Sequence, residues 1–143
     1  CAMSDKIAAI APVAGAHPQM GSCQPMLPVS VIVFHGSRDG TVPYLGDGGY
    51  LPPVPAWAAA WARRNDCDAK PAVDHPHTTA TRETWTGCSG DAAVVLYTIE
   101  GGGHDWPGAA FGPGPYPDGI APGLYATDVI WGFFEAHPRR LEP

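Results

Sequence analysis

The stretch VSVIVF (Val29–Phe34) decides the fold, because it is a continuous apolar, β-branched run that leads directly into the polar sequence HGSRDG. A continuous run, unlike an alternating one, is typical of a strand buried on both faces, as in a parallel sheet covered by helices. A second run of this kind, AAVVLYTI (Ala92–Ile99), leads into EGGGHD. A shorter run, IAAIAPVAG (Ile7–Gly15), predicts a third buried strand.

Two helices are expected between and after these strands. The segment VPAWAAAWARRN (Val54–Asn65) is alanine-rich, with Trp57 and Trp61 one turn apart on a core-facing side and Pro55 suited to the first turn. The segment Thr127–Ala136 has an apolar stripe, with Thr127 as the expected cap.

The remaining chain is expected to be mostly irregular. Residues 66–77 and the long Gly/Pro-rich segment 100–124 are predicted as loops, and residues 78–86 as a weak strand. Buried strands alternating with helices indicate the α/β class, with a mostly parallel sheet and flanking helices. Such a sheet normally has more strands, so we expect residues 1–143 to be the C-terminal portion of a single α/β domain.

Composition excludes several classes of protein. The 143 residues are 45% hydrophobic and 10% aromatic, which favours a packed globular domain over disorder. The net charge is −6 and there is no basic run, so nucleic acid and anionic membrane surfaces are not expected as partners. The sequence has no apolar stretch long enough to cross a membrane.

The four cysteines are Cys1, Cys23, Cys67 and Cys88, spaced too widely for a zinc site of the CxxC type. Their even number in a Gly/Pro-rich chain favours two disulfides, and therefore a secreted or periplasmic protein. We expect the sequential pairing, Cys1 with Cys23 and Cys67 with Cys88; four reduced, buried cysteines are the alternative. Cys1 could be a lipidated first residue or the end of a processed chain, but Cys1–Lys6 resembles a helix end running into a strand, which favours a start inside a longer gene.

Two polar side chains follow the two best strands at the same distance. Asp39 and His104 each lie five residues past the end of a buried run. If the strands are parallel, both loops leave the same carboxyl edge of the sheet, where open α/β proteins place their sites. The aspartate would then orient the imidazole, and the histidine would act as the general base for a nucleophile. The three glycines before His104 allow the tight backbone path that this placement needs.

Several neighbouring residues have alternative interpretations. Asp39 precedes a glycine and could be a plain turn residue. His35 is interpreted as structural or as a residue that supports the site, with the role of the base as its less favoured alternative. Asp105 is a weak competitor for the role of the acid. On the loop after His104, three aromatic residues would either line a substrate pocket or hold the loop down: Trp106, Phe111 and Tyr116.

Neither a metal nor a cofactor is expected. The segment Asp74-His75-Pro76-His77 has metal-binding residue types, but no further ligands lie nearby in the sequence. Gly101–Gly103 is not a phosphate-binding loop, because no Lys-Ser or Lys-Thr follows it.

The chain resembles a known family along nearly its whole length. The segments VIVFHGSRDGTVPY (Val31–Tyr44) and YTIEGGGHDWPG (Tyr97–Gly108), together with the runs at 7–15 and 127–138, are similar to the secreted poly(3-hydroxybutyrate) depolymerase/feruloyl esterase family. The resemblance implies an α/β-hydrolase fold and ester hydrolysis by a Ser-Asp-His triad. It matches Asp39 to the acid and His104 to the base, and it implies a bridge between Cys67 and Cys88.

One departure from the family pattern is decisive, because no G-x-S-x-G nucleophile elbow occurs in the sequence. By resemblance the serine would lie about a dozen residues before Cys1, in a missing N-terminal half of the domain. The chain alone would then be inactive, and its substrate in the intact protein would be a hydroxyalkanoate polyester or a feruloyl ester. The alternatives are a serine peptidase of the same fold and a non-catalytic secreted binding domain.

Overall fold

A computed structural model describes residues 1–15, 23–109, 121 and 123–139 of the chain. The described residues form one five-stranded sheet with a helix on each face and a short 3-10 turn at Ser89–Asp91. The elements in chain order are β1 Ala9–Ile10, β2 Ser30–Gly36, α1 Val54–Arg64, β3 Ala72–His77, β4 Ala80–Trp85, β5 Val94–Ile99 and α2 Ala126–Ala136.

The sheet is mixed, with the strand order β1-β2-β5-β4-β3. β1, β2 and β5 run parallel, and His35 of β2 lies beside Thr98 of β5. β4 runs antiparallel to β5, and β3 antiparallel to β4. The expectation of a mostly parallel sheet is therefore corrected, because the connections joining β3, β4 and β5 are too short for crossover helices and permit only antiparallel pairing.

Residues 72–77, predicted as loop, form the edge strand β3. Its sequence, AVDHPH, lacks the alternation of apolar and polar residues that marks a strand, because five of its six residues are exposed and no buried face requires apolar side chains. Pro76 is compatible with this edge position, where no partner strand requires its backbone N–H. Pairing with β4 defines the strand, and Asp74 lies opposite Arg82 and accepts a hydrogen bond from its Nε at 2.8 Å.

The central strands carry the core, as their sequences indicate. All seven residues of β2 and all six of β5 are buried. Successive side chains point to opposite faces, so that one set packs under α1 and the other under α2. The α1 face contains Val31, Val33, Val94 and Leu96, and the α2 face contains Ile32, Phe34, Val95 and Tyr97.

Both predicted helices are present, but one predicted cap is wrong. Trp61 of α1 is buried and Trp57 packs edge-to-face against it at 5.9 Å, while Trp131 of α2 is exposed. Thr127 lies within α2 and does not cap it. The backbone N–H of Ala126 is satisfied by the carbonyl of Pro107, so this helix start is held by the preceding loop.

The disulfide pairing is as expected, with Cys1 bonded to Cys23 and Cys67 to Cys88. The second bridge joins Cys67, three residues after the end of α1, to Cys88, which directly precedes the turn before β5. Among the described residues, no helix is both long and apolar enough to span a membrane.

Candidate active site

Asp39 lies in the loop that follows β2 at the carboxyl edge of the sheet. The side chain is buried, and its Oδ1 accepts hydrogen bonds from the backbone N–H groups of Thr41 and Val42, both at 2.8 Å. Aspartate favours this kind of local turn because its carboxylate bonds the backbone two or three residues further on. The turn holds the second oxygen, Oδ2, toward the loop after β5.

The loops after β2 and β5 are bonded to each other before they reach the site. The backbone N–H of Ser37 donates to the carbonyl of Ile99, and that of Arg38 donates to the carbonyl of Gly102, both at 2.9 Å. The backbone N–H of Gly101 donates to the hydroxyl oxygen of Ser37 at 2.8 Å. Gly36 allows this approach, since a Cβ there would overlap the carbonyl groups of Gly102 and Gly103.

His104 and Asp39 meet where the two loops end. The ring Nδ1 lies 3.0 Å from Asp39 Oδ2, the aspartate side chain is fully buried and the histidine side chain is 44% exposed. An ionised carboxylate only accepts hydrogen bonds, so the proton of a neutral imidazole lies on Nδ1 and Nε2 keeps its lone pair. The exposed ring can thus take a proton at Nε2 while the buried carboxylate fixes its tautomer and stabilises its charged form.

The charge of Asp39 is maintained despite its burial. Burial by itself would raise the pKa of this carboxyl group. The hydrogen bonds from Val42, His104 and Thr41, with the charge of a protonated His104, outweigh burial and hold the pKa below its usual value. The carboxylate is therefore ionised throughout the neutral range.

His35 contributes to the site more directly than its position in the sequence indicates. Its Nε2 lies 2.8 Å from the carbonyl oxygen of Val42 and 3.3 Å from Asp39 Oδ2. Sequence reasoning assigned His35 a structural or supporting role without identifying its contact. The available signal was its place at the end of β2, four residues before the aspartate.

The other predicted site residues have varied outcomes. Trp106 is 43% exposed, and its Nε1 donates to the hydroxyl of Thr127 at 3.1 Å, which fastens the loop to α2. Phe111 and Tyr116 lie outside the described residues. Asp105 is exposed, and the carboxylate that contacts His104 is that of Asp39.

The histidines of the hairpin formed by β3 and β4 bond to nearby threonines. His77 Nδ1 lies 2.9 Å from the hydroxyl of Thr79, and His75 Nδ1 lies 3.3 Å from the hydroxyl of Thr81. Within the described ranges, no three His, Cys, Asp or Glu side chains are grouped as a metal site would require.

A cleft of about 630 Å³ lies at the other end of the strands from Asp39 and His104. It is bordered by Ser30 at the start of β2, by Ala92 before β5 and by Arg139. Its lining includes neither residue of the hydrogen-bonded pair. The chemistry at the carboxyl edge, and not the volume of this cleft, therefore marks the candidate active site.

The fold and site together are those of an α/β protein with an aspartate–histidine pair at the carboxyl edge of its parallel strands. No family model matches the chain. It is similar to feruloyl esterase B of Piromyces equi, with 32% identity over 116 residues covering 73% of this chain and 21% of that protein. It is also similar to the putative esterase NocK of Nocardia uniformis subsp. tsuyamanensis, with 30% identity over 145 residues covering 87% of this chain and 40% of that protein. The chain thus spans about one fifth of the length of the first of these curated relatives and two fifths of the length of the second.

Proposed function

We propose that this chain supplies the acid and the base of a serine carboxylic-ester hydrolase. The observation that carries the proposal is the 3.0 Å hydrogen bond between His104 Nδ1 and Asp39 Oδ2, with the aspartate buried and the histidine accessible. Similarity to two proteins named as esterases supports the same reaction class.

The proposed mechanism follows from the protonation states of the pair. A serine hydroxyl transfers its proton to His104 Nε2 as its oxygen attacks the ester carbonyl carbon. The imidazolium then gives this proton to the leaving alkoxide, and an acyl-enzyme forms. Water then attacks the acyl carbon and gives a proton to His104. The imidazolium returns this proton to the serine oxygen as the serine–acyl bond breaks and the carboxylic acid is released. Asp39 remains ionised and stabilises the imidazolium in both halves of the reaction.

We place the nucleophile outside the 143 residues, on a segment that precedes Cys1 in an α/β-hydrolase domain. The absence of a G-x-S-x-G elbow from the sequence supports this placement. The greater length of both relatives is consistent with a larger catalytic domain. The chain would then be the C-terminal portion of that domain and inactive without the rest.

The proposed substrate is a feruloyl ester or a hydroxyalkanoate polyester. The name of the Piromyces relative favours the first. Trp106, two residues after His104 and 43% exposed, would offer an aromatic surface to a ferulate ring. The two disulfides favour a secreted or periplasmic location for the enzyme.

The decisive experiment joins the chain to the coding sequence upstream of Cys1 in the same reading frame. The extended protein should contain G-x-S-x-G and hydrolyse methyl ferulate or hydroxybutyrate oligomers more rapidly than peptide anilides. His104→Ala should lower kcat by about 10⁴-fold or more, because the proton acceptor is lost.

His75→Ala is the matched control, since His75 is an exposed histidine on the β3–β4 hairpin and should leave kcat unchanged. Unaltered hydrolysis in His104→Ala would overturn the mechanism. A stop codon directly upstream of Cys1, with no esterase activity, would favour the non-catalytic binding domain instead, and faster cleavage of peptide anilides would favour the peptidase.

A further inference from the structure

His35 is a buried histidine placed directly beneath the candidate active site. It is 1% exposed and lies near the end of β2, on the sheet face covered by α1. The neighbouring strand contributes Thr98 beside it, and the ring of Tyr44 lies 6.1 Å from its own ring. Tyr44 is in turn bonded to Thr98 through their hydroxyl groups at 2.7 Å.

The contacts of His35 determine which ring nitrogen carries a proton. A backbone carbonyl oxygen only accepts hydrogen bonds, so the 2.8 Å contact with Val42 requires a proton on Nε2. The same nitrogen, Nε2, lies 3.3 Å from Asp39 Oδ2. The oxygen that accepts the hydrogen bond of His104 therefore lies beside a second imidazole nitrogen, whose own N–H donates to the carbonyl of Val42.

Val42 links the same histidine to the other oxygen of the carboxylate. Its N–H donates to Asp39 Oδ1 at 2.8 Å, and its carbonyl accepts from His35. The turn from Asp39 to Val42 is therefore held from outside by a side chain of the buried strand β2. Inside the turn, the backbone N–H groups of Thr41 and Val42 both donate to Asp39 Oδ1, and the bond from His35 supports the turn from the neighbouring strand end.

We propose that His35 is a positioning residue, which uses its Nε2–H to hold Asp39 and the turn after it in register with His104. The catalytic consequence of this inference rests on the proposed function. The positioning of Asp39 by His35 does not, and it can be measured without a substrate. Groups supporting an active-site side chain matter because a displacement of about 1 Å can cost about 10²-fold in rate.

The first test is His35→Leu compared with His35→Gln, because glutamine places an N–H donor at a similar reach and leucine removes it. Imidazole NMR of the full chain reports the downfield Nδ1 proton of His104 that is hydrogen-bonded to Asp39. We expect this resonance to be lost in His35→Leu and retained in His35→Gln.

Val33→Ala controls for general loss of core packing, since Val33 is buried on the same strand and face. It should keep the His104 resonance despite a lower free energy of unfolding. If folded His35→Leu keeps the resonance, the proposal is wrong. If His35→Leu does not fold, a folded His35→Gln decides: its loss of the resonance would overturn the proposal, and its retention supports it.

The second test uses the extended enzyme and separates the two proposals. His35→Leu should lower kcat by about 10- to 100-fold with KM within about twofold, and His35→Gln should recover most of the loss. If His104→Ala abolishes hydrolysis but His35→Leu changes neither kcat nor the resonance, only the positioning role fails. If His104→Ala is fully active, the proposed function fails, while the resonance still reports whether His35 holds Asp39.

Discussion

At Asp39 a carboxylate is buried and yet ionised, which requires compensation from its surroundings. Burial of a charge is costly unless hydrogen bonds replace its hydration. Here two backbone N–H groups from the four-residue turn that begins at Asp39 provide them, together with the His104 ring from the loop after β5. The same bonds that keep the charge therefore also fix the direction of Oδ2.

A pH dependence of stability follows from the low pKa of Asp39. Because the pKa is lowered on folding, this carboxylate stabilises the native state above its unfolded value of about 3.9, and the contribution is lost as pH falls through the folded pKa. We expect acid to reduce the free energy of unfolding less steeply in Asp39→Asn than in the wild type. Urea titrations between about pH 2 and pH 6 would measure this difference.

Asp105→Asn is the control, because Asp105 directly follows His104 in the chain and its carboxylate is exposed. It should keep the steep acid dependence of the wild type. If the free energy of unfolding changes with pH equally steeply in Asp39→Asn and in the wild type, Asp39 is not a stabilising buried charge.

The sequence locates Asp39 and His104 because both follow buried strands at equal distance, and parallel strands bring such residues to one edge. It does not reveal the contact of His35 with Asp39, which depends on the turn that returns Val42 to the end of β2. The predicted cap at Thr127 is wrong for a similar reason. Its hydroxyl bonds Trp106, and the loop at Pro107 satisfies the backbone at the start of α2.

At the scale of elements, the site depends on contact between the loops after β2 and β5. Three hydrogen bonds join the loop after β2 to the last residue of β5 and to the loop after it, involving the backbone of Ser37, Arg38 and Gly101. A parallel pair of strands supplies the common edge, but these bonds determine how closely the two loops approach. Gly36 and the glycines before His104 are thus part of the geometry of the pair.

Gly36→Ala is predicted to disrupt this loop contact. The added Cβ would overlap backbone carbonyl groups that no side-chain rotation can move. We expect a loss of about 1–3 kcal/mol in the free energy of unfolding, typical of overpacking, together with loss of the His104 Nδ1 proton resonance. Urea unfolding and imidazole NMR measure the two effects.

Gly40→Ala is the matched substitution, since a Cβ at Gly40 meets no atom within 4 Å. It should leave both the resonance and the stability nearly unchanged. Equal effects of the two substitutions would show that close packing at Gly36 is not what holds the loops together.

The edge strand β3 illustrates which elements a sequence reveals. β2 and β5 are apparent because both of their faces are buried, which requires continuous apolar runs. β3 is mostly exposed and contains Pro76, and its pairing with β4 is a tertiary property. The edge strand β3 therefore could not be deduced from periodicity, whereas residues 78–86, predicted as a weak strand, contain β4.

At the scale of the molecule, cross-links secure the end of the sheet remote from the site. The bridge between Cys67 and Cys88 joins the end of α1 to the turn before β5. Beside it the buried side chain of Asn65 donates to the carbonyl of Val29 at 2.8 Å and accepts from its N–H at 3.2 Å. The amino ends of β2 and β5 are therefore anchored to α1, while hydrogen bonds between loops organise their carboxyl ends.

Removing the Cys67–Cys88 bridge is expected to weaken the fold without disturbing the site. The bridged residues are 21 positions apart, and in the chain-entropy model such a cross-link stabilises by roughly 3 kcal/mol. The double substitution of Cys67 and Cys88 by alanine should lower the free energy of unfolding by about that amount, measured by urea titration. The His104 Nδ1 proton resonance should persist below the transition, because the hydrogen bonds around Asp39 lie at the opposite end of the strands.

The bridge between Cys1 and Cys23 provides the matched comparison, since its separation of 22 residues gives nearly the same loop. If restriction of the unfolded chain dominates, its removal should cost a similar roughly 3 kcal/mol. A much larger loss for the Cys67–Cys88 pair would show that the contact between α1 and the start of β5 matters beyond chain entropy. Loss of the His104 resonance in either folded double variant would contradict the independence of the two ends of the sheet.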